Sequence, residues 1–227
     1  MDIPLVHTEH QYAFTAPVAA LKASSTQMPA IFDHDSEFYL KQDNDRYFFA
    51  AFEHANDVQI KTEYYKETPS NIGKDALPAQ FERIDENYRS ACDLLPSLAQ
   101  TQIQEKHTAL IGMTPDGLPL LGPSSRPNYW LAAMSFDGVA LAGGAGKFLS
   151  EWITKGEPPR ELMQADPSRF RGWAKRKFIE ERAKESYSLV YNWSQTIQER
   201  LAGRPTRVSG LYGALLQEGA HMIYRNG

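Results

Sequence analysis

One cysteine in 227 residues, Cys92, means that no disulfide can close within the chain and that no cluster of cysteines can hold a metal. It lies beside Ala91 and Leu95 on an expected helical face, the setting of a structural thiol rather than a nucleophile. Long hydrophobic runs are also missing. None approaches the roughly 20 residues of a membrane span, and the opening from Met1 to Pro4 has no basic stretch leading into an apolar one, so neither a membrane span nor a secretory leader is expected. The spacing GxGxxG, which opens a dinucleotide-binding unit, occurs nowhere, so the mononucleotide-binding half is missing from this stretch. A phosphate loop fails too: Leu141 stands where its first glycine belongs, and Phe148 replaces the Ser or Thr that would hold magnesium. Met134 and Asp137 break the nucleophile-elbow pattern around Ser135. His7 and His10 are three apart, on opposite faces of a strand, and no acidic or cysteine cluster completes a metal site with them.

Positive charge is scarce overall, at 24 Lys and Arg against 28 Asp and Glu, but it is unevenly placed. Residues 1–154 carry 11 basic against 20 acidic side chains, whereas residues 155–207 carry 12 against 7. Lys175, Arg176 and Lys177 are followed by Glu180, Glu181 and Glu185 at helical spacing. That is a solvated helix with its own ion pairs, and no nucleic-acid partner is expected. With 42% hydrophobic and 23% charged residues the chain has the composition of a globular protein able to bury a proper core.

Apolar alternation and turn residues predict an antiparallel meander in the first half: a strand over 5–15, then Ile31-Phe32, 37–40 and 47–52, separated by Asp33 to Ser36 and Asp43-Asn44-Asp45. Phe81, Ile84, Tyr88, Cys92 and Leu95 recur every three or four residues, predicting a helix over 79–95 that ends before Pro96. Strands are expected over 102–111 and 128–134, on either side of the turn-rich segment 114–123. Next comes a glycine-dense turn running into a helix over 138–154, stopped by Gly156, Pro158 and Pro159. A charged and aromatic tail follows, with a helix near 173–187 and an irregular stretch over 203–213. The fold class is therefore α+β.

Two features carry chemistry. The first is the start of the helix at Gly138. Its first-turn amides lack intrahelical acceptors and sit at the positive end of the helix dipole, which suits an anionic or electron-rich ligand edge. Gly138, Gly143, Gly144 and Gly146 would let such a ligand approach bare backbone; the alternative is that they let the helix pack tightly on a sheet. The second is the pair His10 and Tyr12, two residues apart on one strand face, where an imidazole and a phenol could line a pocket and steer a proton. The alternative is a polar pair at a sheet surface.

In order along the chain, His7-Thr8-Glu9-His10-Gln11-Tyr12, Tyr39-Leu40-Lys41-Gln42, the segment Thr114 to Pro123, Ala142 to Lys147, Glu151-Trp152-Ile153, Gly156-Glu157-Pro158-Pro159, Asp166 to Phe170, Glu185-Ser186-Tyr187 and Arg204 to Tyr212 resemble the dimethylglycine and sarcosine dehydrogenase family of flavoproteins. The resemblance covers nearly the whole chain.

It implies an antiparallel-sheet substrate lobe in residues 1–100 and the C-terminal part of a Rossmann-type FAD lobe in 101–156. Residues 157–227 would be a linker like the one before a folate-binding module. FAD is the implied cofactor, approached by Met134, Ser135, Phe136, Asp137, Gly138, Val139, Gly143 and Gly144. The implied partner is a small N-methylated amino acid, with His10 and Tyr12 as catalytic candidates, and the product carbon would leave as formaldehyde or a folate adduct. Because the segments that would precede Met1 in the family include its GxGxxG, the chain is expected to be inactive alone unless a separate FAD-binding polypeptide supplies that half. Two departures bear on the flavin. The family usually has glycine at Met134, where a thioether would project toward the ring, and Asp137 adds a carboxylate beside it. A second expectation is a non-catalytic interaction protein similar to the regulatory subunit of pyruvate dehydrogenase phosphatase, and a third is a truncated gene product. Analogy places such proteins in the mitochondrial matrix of eukaryotes or the cytoplasm of bacteria.

Overall fold

A computed structural model describes residues 3–62, 77–192 and 199–223. The chain forms two compact units, one from His7–Ile111 with Tyr187–Thr196, the other from Met1–Val6, Gly112–Ser186 and Ile197–Gly227.

The first unit is built on the expected meander. Strands β1 (Val6–Thr15), β2 (Ile31–Asp33), β3 (Phe38–Asp43), β4 (Arg46–Ala51) and β5 (Ile103–Met113) form one sheet in the order β2-β3-β4-β1-β5. The β3–β4 connection is a two-residue turn closed by the Asp43–Arg46 pair, with Asn44 at φ 55°, a left-handed conformation that asparagine tolerates better than most residues. Alternation along the strands separates two faces. Ala13, Phe38, Leu40, Tyr47, Phe49 and Ala51 point into a core completed by Phe81, Ile84, Ala91 and Leu98. Between β1 and β2 runs the short helix α1 (Ala19–Ala23). The periodic segment expected as one helix over 79–95 is a tighter 3-10 turn over Phe81–Ile84 followed by α2 (Asp85–Leu94), because Ile84 leaves helical dihedrals at φ −120°. Pro96 then opens the short α3 (Pro96–Ala99), and Ser97 within it is hydrogen-bonded to the Tyr47 hydroxyl at 2.8 Å. Cys92 is half-buried against this core, and burial pushes its thiol pKa up, as expected of a structural thiol.

The second unit contains the hairpin β6 (Leu120–Pro123) and β7 (Trp130–Ala133), the long helix α4 (Gly138–Lys155), most of α5 (Arg176–Ser188) and α6 (Tyr212–Gln217). The strand β6 lies inside the segment expected only as turns. Pro119, Gly122 and Pro123 hide it from composition, and the glycine has a packing reason: at φ 147°, a Cβ on Gly122 would lie 2.7 Å from the Trp152 ring. Trp152, Leu149 and Ala145 of α4 pack with Leu121, Leu162 and Ala165. Gly156, at φ 78°, ends α4 in a left-handed cap whose N–H bonds the Trp152 carbonyl. Two segments far apart in sequence meet where the Arg169 guanidinium forks onto both carboxylate oxygens of Asp116, at 2.8 and 3.0 Å. Among the described residues no helix is long and apolar enough to cross a membrane, and no group of three or more His, Cys, Asp or Glu could hold a metal ion.

Candidate active-site face and flavin-side helix

Opposite its core, the five-stranded sheet carries an aromatic face. Register places Tyr12, Ala50 and Tyr39 side by side across β1, β4 and β3, and Phe14, Phe48 and Lys41 in the next row. Tyr39 also pairs with Phe32 of β2. Tyr12 packs on Phe48 at 5.6 Å and on His107 of β5 at 5.1 Å, and Phe48 packs on Tyr39 at 5.6 Å. Tyr12, Tyr39 and Phe48 are half-buried and Phe32 is 52% exposed, so this wall is partly open. Cations flank it: the Lys41 ammonium lies 4.9 Å from the Phe48 ring centre, and Arg46, paired to Glu105, lies 4.1 Å from that of Phe14.

His10 and Tyr12 share this side of β1 but differ in setting. Tyr12 belongs to the open wall, whereas His10 is enclosed by the rings of Tyr39, Phe52 and Tyr187 and only 3% exposed. Its Nδ1 lies 2.7 Å from the Tyr187 hydroxyl and its Nε2 3.1 Å from the Tyr39 hydroxyl. Burial, aided by the positive charge of Arg83, lowers its pKa to about 3, so the imidazole is neutral. Behind it runs a buried chain. Tyr187 donates to Glu53 Oε2 at 2.5 Å, Glu53 Oε1 pairs with Arg83 at 2.5 Å, and Arg83 pairs with Glu9, which also holds Lys61 at 2.7 Å. Burial raises the pKa of Glu53 while Arg83 and the Tyr187 hydroxyl act against that rise; Tyr39 and Tyr187 are pushed well above the ordinary phenol range by burial.

Sequence reasoning found His10 and Tyr12 but assigned no role to Tyr39, Glu53, Arg83 or Tyr187. One signal was present: Glu53 directly follows an apolar run over 47–52, and a carboxylate in such a place needs a partner.

The flavin-side candidates lie in the second unit. Asp137 is the N-cap of α4, exposed, and makes no capping bond, so the first amides of the helix keep their donor capacity. Val139 is 98% exposed, and a Cβ added at Gly143, Gly144 or Gly146 would meet nothing within 4 Å. Packing therefore does not account for these three glycines among the described residues. Met134 is half-buried against the Leu121–Trp152 cluster rather than simply projecting outward, with its Cβ 3.4 Å from where a Gly138 Cβ would be. Ser135 is buried, its hydroxyl near the Gly112 carbonyl and Met113 sulfur, and Phe136 is half-buried.

Residues 1–152 match the family described as FAD dependent oxidoreductase, and residues 155–209 match the FAD dependent oxidoreductase central domain. The chain belongs to the FAD-dependent oxidoreductase family. It is 35% identical over 218 residues to the mitochondrial dimethylglycine dehydrogenase of Mus musculus, covering 95% of this chain and 25% of that protein. It is also 28% identical to the mitochondrial sarcosine dehydrogenase of Homo sapiens, covering 100% of this chain and 24% of that protein. The mitochondrial pyruvate dehydrogenase phosphatase regulatory subunit of Mus musculus is 30% identical, with coverage of 100% and 25%. The chain thus spans about a quarter of the length of these relatives. The fold is shared with L-proline dehydrogenase from P. horikoshii, at TM-score 0.56 and 23% identity over 75% of this chain and 41% of that one. Glycine oxidase from Geobacillus kaustophilus gives TM-score 0.53 and 18% identity over 76% and 41%.

Proposed function

We propose that this chain supplies the substrate-holding sheet and a flavin-flanking helix of an FAD-dependent enzyme that oxidises small N-methylated amino acids. The partly open wall of Tyr12, Tyr39 and Phe48 carries the reading, because a methylated ammonium is weakly hydrated and is attracted to the faces of aromatic rings. Lys41, with no carboxylate partner among the described residues, sits at the end of that wall and suits the carboxylate of an amino acid. The similarity to dimethylglycine and sarcosine dehydrogenases supports the same substrate class. FAD, when bound, supplies the two-electron acceptor for oxidation of the carbon attached to the substrate nitrogen. The open amides after Asp137 and the bare backbone of Gly143 and Gly144 fit the edge of its ring system. In this reading residues 1–100 are the substrate portion, 101–156 the flavin portion and 157–227 the linker.

The test is reconstitution of the chain with FAD and a separate polypeptide carrying the dinucleotide half, followed by dimethylglycine or sarcosine and an electron acceptor. Retained, near-stoichiometric flavin absorbance with turnover is expected, and Lys41→Ala should raise KM about tenfold, the equivalent of one lost charge-assisted hydrogen bond. A chain that takes up no flavin, alone or with a separate polypeptide carrying the dinucleotide half, would remove the enzyme reading. The second reading, a non-catalytic interaction protein, would then stand; it is supported by the similarity to the phosphatase regulatory subunit, which runs over the whole of this chain and a quarter of that protein.

A further inference from the structure

The buried chain behind His10 fixes the direction of a hydroxyl on the aromatic face, and it does so through a residue of the tail. Glu53 is ion-paired to Arg83 at 2.5 Å and is therefore an acceptor, so the single proton of the Tyr187 hydroxyl goes to Glu53 Oε2. With that proton committed, the Tyr187 oxygen can only accept from His10 at 2.7 Å, which requires the imidazole proton to be on Nδ1. His10 Nε2 is then bare and accepts the hydroxyl proton of Tyr39 at 3.1 Å. Each donor is determined by the one before it, and the sequence ends at Tyr39, which is half-buried on the partly open wall. Its proton points inward at His10, and its oxygen lone pairs are left for whatever occupies the face.

We propose that Tyr187 is a positioning residue: through His10 it makes Tyr39 a hydrogen-bond acceptor, selecting a ligand that brings an N–H donor or a cationic nitrogen over an anionic one. The proposal rests on the reading of the aromatic wall as the substrate face. Without the Tyr187 hydroxyl, His10 Nδ1 has no acceptor beside it, and the proton is better placed on Nε2, where the Tyr39 oxygen can receive it. The Tyr39 hydroxyl must then turn its own proton outward, presenting a positive edge to a cation. A change of one oxygen on the tail thereby reverses a dipole on the sheet.

The experiment reads the His10 tautomer by ¹⁵N NMR of the imidazole in the full chain, with no cofactor present. In the wild type, Nδ1 is expected to be protonated and Nε2 bare. Tyr187→Phe should move the proton to Nε2, while Tyr39→Phe should leave it on Nδ1; backbone amide spectra establish that each variant is folded. Titration with dimethylglycine, followed by chemical shift, should give a Kd about tenfold weaker in Tyr187→Phe than in wild type. A wild-type imidazole protonated on Nε2 would overturn the proposal without any variant, and so would an unchanged tautomer in folded Tyr187→Phe. Loss of the dimethylglycine response in wild type alongside the expected tautomer switch would instead remove the substrate reading and leave the control of Tyr39 by Tyr187 standing.

Discussion

A neutral histidine sealed among three aromatic rings makes the stability of the sheet unit depend on pH. The pKa of His10 falls from 6.5 to about 3 on folding because the imidazolium loses its water and faces the charge of Arg83. Above pH 6.5 both folded and unfolded chains hold it neutral, and the shift contributes nothing. Between 6.5 and about 3 the unfolded chain binds a proton that the folded chain refuses, so stability falls by about 1.4 kcal/mol for each pH unit from this group alone. Below about 3 the loss is complete. His10→Gln keeps a polar side chain of similar reach but cannot titrate. Urea midpoints measured at pH 7 and pH 5 should therefore lie closer together in the variant than in wild type. Equal pH dependence in the two would show that His10 is hydrated enough to be protonated in the folded state.

At the scale of elements, α4 contains a conflict between stability and use. Its buried stripe of Ala145, Leu149 and Trp152 anchors it, while Gly143, Gly144 and Gly146 lie on open surface and each costs roughly 1 kcal/mol relative to alanine in a helix interior. Nothing in the packing of the described residues requires them. Gly143→Ala with Gly144→Ala should thus raise chain stability by about 1 to 2 kcal/mol, seen as a higher Tm. Flavin retention should fall in the same variant if the bare backbone is where the ring approaches, and a variant that is stabilised but retains flavin undiminished would separate the glycines from that role. Helix α4 and strands β1 to β4 were legible in the sequence because their signals are local: alternation, a turn at Asp43 to Asp45, glycine followed by an amphipathic stripe. The break at Ile84 was not legible, since apolar spacing is the same for a 3-10 turn leading into a helix as for one continuous helix. Strand β6 was hidden by Pro119 and Gly122, and the role of Gly122 depends on Trp152 thirty residues later. The site was half legible for a similar reason. His10 and Tyr12 stand in one motif, but the bonds that set His10 join residues 177 and 29 apart, and Glu53 meets Tyr187 across 134 residues. No spacing rule reaches that far.

For the whole chain, the apolar side chains left on the surface argue for association. Val139 at 98%, Leu211 at 67% and Leu141 at 43% exposed lie in one unit, and Phe32 at 52% in the other. Scattered exposed leucines are ordinary, but Val139 and Leu141 sit on the same open turns of α4 as the unpacked glycines Gly143 and Gly144. A net charge of −4 over 227 residues opposes contact only weakly. The isolated chain is therefore expected to self-associate, with light scattering giving a mass above that of one copy and sulfate increasing it, as apolar burial requires. Lys in place of both Val139 and Leu141 should restore the monomer, because burying two ammonium groups costs more than two apolar side chains gain. Phe32→Ser, on the other unit, should leave the association unchanged. If the double lysine variant associates as strongly as wild type, the contact lies elsewhere, and the open start of α4 is not the surface that seeks a partner. Should FAD dissociate the wild-type assembly while leaving the double variant monomeric and flavin-free, one surface would account for both behaviours: the cofactor and a second copy of the chain would be competing for the same exposed turns of α4.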